Sequence, residues 1–276
     1  SLFICAVWNA SAGTLLPSVV NTSTGSVTAS SVTVAEKLNT YFNEIDLSGN
    51  DSITYSINEK IKQEVLEFAE ADSNFYKISI GCGRIGSVIS PDNKLKIISW
   101  NYKLKDNSYA YETIIIKNSN KKKPKVKAWQ LSCPKAFKPT DNKKYNSKNW
   151  YGSLYYNIIP WKGDYILLGY STYNNISKVK VIEVLSLEKK RPTFGEKVFK
   201  KGNKTFSRMV FEYSYMANMS LVYNSETKEF IFDHLSPEEP SMKGLYQYYG
   251  PDFSIDVLQE NRKFWEYKED VDKWNN

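Results

Sequence analysis

After Asp72 the apolar residues stop recurring at helical spacing and begin to alternate, which constrains this chain more than any other feature. Strand-like runs fall at 75–80, 85–89, 95–100, 109–117, 126–131, 154–159, 165–170, 179–185, 206–213, 219–223 and 229–235. Turn-rich pieces such as SPDNK, KNSNKKKP, WKGD and NSETK separate them. With no helical pattern interleaved, βαβ units are excluded and antiparallel hairpins are required. About eleven strands are too few for the four blades of the smallest usual propeller, and no period of about 40 to 50 residues repeats. The predicted fold is mainly β, with antiparallel meander sheets, sandwich-like or partly closed, in a single domain over 73–276.

Two short helices are predicted before it, in a segment over 32–72 packed on the β-region. Thr33 with Glu36 and Ser56 with Glu59 form capping-box patterns. Each precedes an apolar stripe, the first with Leu38, Phe42 and Ile45, the second with Ile61, Val65 and Phe68.

The start of the chain reads as a processing signal. Residues 2–8, LFICAVW, are apolar, and Ala10-Ser11-Ala12 then offers a small-x-small cleavage pattern ahead of Gly13. Residues 1–12 are therefore expected to be the remnant of a signal peptide and 13–31, rich in Ser, Thr, Val and Gly, a flexible lead-in. No segment reaches the length of about 20 apolar residues that a membrane span needs. The expected location is secreted or periplasmic, in a bacterium. In that compartment Cys82 and Cys133 are a candidate disulfide, the alternative being two buried thiols.

The net charge of +7 is concentrated. Residues 117–148 hold eleven Lys and one acid, Asp141, and so carry +10, which leaves −3 for the rest. Arg occurs only at 84, 191, 208 and 262, and without its bidentate fork the bias argues against nucleic acid. Lys121, Lys122, Lys123, Lys125 and Lys127 suit an anionic envelope surface instead.

Few motifs survive inspection as chemistry. Gly81-Cys82-Gly83-Arg84-Ile85-Gly86 matches GxGxxG, but SVISPDNK follows it, and β-branched residues with Pro91 cannot open the helix that a dinucleotide needs. No cofactor is expected. A single histidine, His234, rules out a His-pair zinc site, and no metal is expected. No GxSxG elbow marks a serine that His234 could activate. Asp233, Glu238, Glu239, Asp252 and Asp256 cluster in sequence, and paired carboxylates could hydrolyse a polymer if held at a defined separation. Tyr246, Tyr248 and Tyr249, just before Gly250-Pro251-Asp252, and Trp150 at another turn could bind a sugar ring or peptide, since aromatic rings offer area at little entropy cost. The ligand-binding candidates are thus His234, Asp233, Tyr246, Tyr248, Tyr249, Asp252 and Trp150, and no residue is assigned as catalytic.

The blocks WYGSLYYNIIP, GDYILLGY, RMVFEYS, FDHLSP and YQYYGPDFSIDVL resemble an uncharacterised family of secreted β-rich bacterial proteins. The resemblance covers about the last 120 residues. It implies export and a β-rich fold and supplies no activity. The resulting expectation is an exported, non-catalytic binding protein for a glycan, peptide or envelope partner. The alternative is a hydrolase of extracellular or envelope polymers that uses loop carboxylates.

Overall fold

The computed structural model describes residues 29–71, 80–118, 126–188 and 191–271. The signal-peptide remnant, most of the lead-in, nearly all of the run at 75–80 and Lys121, Lys122, Lys123 and Lys125 lie outside them. Within them the chain is mainly β with two helices at the N-terminal side.

The helices are α1 (Ala29–Ser48) and α2 (Asp51–Ala71). They are longer than the sequence predicts, and the second begins before Ser56. Its exposed amides find an acceptor in Asn50, whose Oδ1 takes the N–H of Ser52 at 2.9 Å. Ser56 therefore lies inside the helix. Between the two, Gly49 takes a φ of +54°, which a residue without Cβ adopts readily at a helix end.

The strands form three sheets. The first holds β1 (Gly86–Ile89), β2 (Leu95–Lys103), β3 (Tyr109–Asn118) and β4 (Val126–Cys133), in that order. In the second, β5 (Tyr145–Asn146), β6 (Leu154–Trp161), β7 (Asp164–Ser171), β8 (Ser177–Ser186) and β9 (Thr193–Phe194) run in the order β5-β9-β8-β7-β6. The third adds β10 (Phe199–Lys201) and β11 (Lys204–Phe206), after which β12 (Arg208–Ser214) returns to pair with β8 of the second. Then β13 (Leu221–Asn224), β14 (Glu229–Pro237), β15 (Tyr249–Asn261) and β16 (Phe264–Lys268) complete the third sheet as β11-β10-β16-β15-β14-β13. Every pairing is antiparallel except β10 with β16.

Layering follows from which faces are apolar. Along β2, Leu95 and Ile97 pack toward the second sheet, while Ile98, Trp100 and Tyr102 pack toward the helices. Along β8, Val179, Val181 and Leu185 face the first sheet, while Ile182 and Val184 face the third. The stack is helices, sheet, sheet, sheet, so the first two sheets are covered on both faces. That explains why KIIS, ETIIIK and YILLGY are continuous apolar runs and do not alternate cleanly. The helices are also clasped by polar groups: Asn58 of α2 accepts from Trp100 Nε1 at 2.9 Å and donates to Glu112 at 2.9 Å.

This layering corrects the disulfide. Cys82 packs between helices and first sheet, its thiol 3.2 Å from Asn39 Oδ1, whereas Cys133 packs between the first and second sheets, its thiol 3.3 Å from the Lys135 carbonyl oxygen. Both are free and buried, so no bridge joins them. Burial raises both thiols, Cys133 to about 12, which leaves them poor nucleophiles. The glycine-rich turn beside Cys82 ends at Gly86, which opens strand β1.

The later part of the Lys-rich window, around 140–143, is tied down. Arg208 donates to the carbonyl oxygens of Thr140 at 2.6 Å and Lys143 at 2.5 Å, which fastens this stretch to the edge of the second sheet. Lys127 lies on β4, an edge strand of the first sheet, where a lysine discourages edge-to-edge pairing.

Candidate functional site

Strand β14 determines where the site lies. Its alternation sends Phe230 and Phe232 into the layer shared with the second sheet, and the same period carries His234 to that side. Opposite them on β15, Leu258 faces Phe230 and Asp256 faces Phe232, so Asp256 points inward as well. The register then slips between Asp233 and Leu235. His234 sits at this irregularity, and across from it Phe253 holds a φ of +72°, unfavourable for a residue with a Cβ. Irregularities of this kind re-aim side chains.

Asp256 is buried and accepts from three sides. His234 Nδ1 lies 2.8 Å from Oδ2, the Tyr267 hydroxyl donates to the same oxygen, and the Asp270 N–H reaches Oδ1 at 3.0 Å. The Asp256 side chain is 1% exposed and that of His234 is 30%, so one partner is sealed while the other opens outward.

It opens into a cleft of ≈ 290 Å³ between β12, β14 and the turn at Tyr246–Tyr248. Met209, Phe211 and Leu235 give the cleft an apolar floor, and Tyr246, Tyr249 and Tyr267 supply aromatic walls. Tyr246 and Tyr249 lean together with ring centroids 5.1 Å apart. Asp141, Glu212 and Asp233 bring carboxylates. Desolvation pushes the Asp233 carboxyl above its ordinary value, against the Ser220 N–H and the nearby Lys180 charge. Two other concavities, of ≈ 330 and ≈ 370 Å³, lie beside the helices, and neither has an aromatic ring in its lining.

Of the candidates from the sequence, His234, Asp233, Tyr246 and Tyr249 line this one cleft. Asp252 is exposed near its rim: partial burial raises its carboxyl, but hydrogen bonds from Ser254 and the proximity of His234 win and hold it below the usual value. Tyr248 is on the covering turn, 38% exposed, and does not line the cleft. Trp150 does not belong to the site. It is 2% exposed in the layer between the first and second sheets, donating its indole N–H to the Tyr155 hydroxyl at 3.0 Å. Sequence reasoning missed Tyr267, Asp141 and the Met209 to Phe211 floor. The strand-like runs of the sequence also end at 235, because Gly250 and Pro251 look like breakers, yet both lie in β15, where Pro251 pairs with Leu235 beside the register slip.

Among the described residues no group of three or more His, Cys, Asp or Glu side chains is placed to hold a metal ion. No described helix is long and apolar enough to cross a membrane. No known family, curated protein or solved structure matches the chain.

Proposed function

We propose that this chain is an exported protein that binds a glycan in the cleft beside His234 without catalysis. One observation carries the reading: three tyrosines, two aspartates and the only imidazole of the chain line one concavity with an apolar floor. Tyrosine faces stack on the C–H faces of a sugar ring, while carboxylates and imidazole accept its hydroxyls. The volume lies at the small end of ligand sites, which suits a short segment of a longer chain. Export is supported by the apolar run at 2–8 and the cleavage pattern after it. The lysines at 121–127 would then meet an anionic envelope surface.

The test is a glycan array probed with the chain from Gly13 onward, with Tyr246→Ala as control. Retention on oligosaccharides that this substitution abolishes supports the reading. Absence of retention on every glycan sinks it.

A second reading, hydrolysis of an envelope or extracellular polymer, is favoured by Asp141 and Asp233 lining the same cleft, as a carboxylate pair requires. New reducing ends in a neutral polysaccharide, lost in Asp233→Asn, would select it over simple binding.

A further inference from the structure

We propose that the neutral form of His234 turns Nε2 to the cleft as a hydrogen-bond acceptor, so that the glycan bound there presents a hydroxyl to it and carries no acidic group. The inference rests on the binding reading above and adds the class of glycan.

The polarity follows from Asp256. Its neighbours Tyr267 and Asp270 donate to it through an O–H and an N–H, and an ionised carboxylate has no hydrogen to give back. The contact with His234 at 2.8 Å therefore runs from Nδ1–H to Oδ2. In the neutral ring the proton is then on Nδ1 and the lone pair on Nε2. Because Asp256 is buried behind the ring while His234 lines the cleft, the edge turned to the ligand is the accepting one.

The charges around it reinforce the choice. Lys201 is already bound to Glu269 at 2.6 Å and lies 3.9 Å from the centre of the Tyr267 ring. Arg208 is committed to Glu183 at 2.9 Å, and Lys138 to Glu212. These cations are paired from within, Lys138 and Arg208 also act on Asp141 and Lys180 acts on Asp233, while Asp252 stands near His234. An acidic sugar would place its charge near Asp252 and against a lone pair. A neutral sugar offers each of them a hydroxyl.

Titration calorimetry on the full chain tests this, with cellotriose and the trimer of N-acetylglucosamine as neutral probes and trigalacturonate as the acidic one. The expected result is binding of at least one neutral trimer and none of trigalacturonate. Asp256→Asn reverses the polarity: the Asp270 N–H keeps the amide oxygen, the amide NH₂ turns to Nδ1, and the ring proton moves to Nε2. A hydroxyl can accept from Nε2–H as well as donate, so that variant should keep the neutral trimer and should now also bind trigalacturonate. His234→Ala removes the acceptor together with one of the three partners of Asp256, and binding of the neutral trimer at least tenfold weaker is expected, so the test holds even where Asp256→Asn fails to fold. Unchanged binding in His234→Ala, or binding of trigalacturonate by the wild type, overturns the inference while leaving the cleft as a binding site. If no probe binds the wild type, the binding reading itself falls.

Discussion

Two carboxylate networks, each spanning neighbouring strands, make an instructive pair. At Glu183 on β8, the Arg208 guanidinium of β12 approaches from one side at 2.9 Å, and the hydroxyls of Tyr151 and Tyr155 donate at 2.6 and 3.0 Å. Both charged side chains are 0% exposed, and the remaining Arg208 donors go to the carbonyls of Thr140, Lys143 and Phe194. At Asp256 the carboxylate is equally buried and equally saturated, but its partner His234 keeps one ring nitrogen uncommitted beside a cleft. A network closed on all sides can only hold the fold together. A network that leaves one atom open can also meet a ligand.

Breaking the closed network should produce the largest effect. Arg208→Ala leaves Glu183 buried without its counter-ion and frees the stretch around 140–143. We expect a loss of about 3–5 kcal/mol in urea unfolding. The neighbouring Gly195 has a φ of +90°, and a Cβ there would lie 2.5 Å from Arg208 Nη2. Gly195→Ala should cost about 1–3 kcal/mol for the strained backbone alone, and a measured loss no larger than that would show that the guanidinium has room to move.

The open network should respond differently. Tyr267→Phe removes one of three donors to Asp256 and should cost about 1 kcal/mol, with neutral-sugar binding weakened less than by His234→Ala. His234→Ala also removes one of the three and should lower stability by about 1 kcal/mol while weakening neutral-sugar binding at least tenfold. Equal stability losses from His234→Ala and Arg208→Ala would erase the distinction between the two networks.

Alkaline titration sharpens the same contrast. Tyr151 and Tyr155 are held protonated well above the ordinary phenol value, first by burial and then by the Glu183 charge. A folded value above the unfolded one contributes stability that is complete below about pH 10 and declines as the pH rises past it. Unfolding followed by tyrosine absorbance should therefore become steeply pH-dependent only above about pH 10, and less so in Tyr151→Phe. The smallest effect expected is that of a reductant, which should leave the melting temperature unchanged because Cys82 and Cys133 are not bridged.

What was legible in the sequence was local. Strand period, polar turns and two amphipathic stripes give the elements, because backbone geometry fixes which neighbours share a face. The run at 229–235 was legible as a strand that carries His234, but the face its ring takes was not, because the register slips there. Chain order could not reveal that β12 leaves the third sheet for the second, or that 22 positions of separation collapse to 2.8 Å between His234 and Asp256. Nor could it show that Cys82 and Cys133 pack in different layers, or that Trp150 is core. Register and stacking are settled by how whole apolar faces bury against each other. The sequence by itself determined the two helices, most of the longer strands up to 235 and the place of the one histidine on the last of them. Only the tertiary structure decided which carboxylate stands behind that histidine and that a cleft lies in front of it, because both depend on strands brought together from distant parts of the chain.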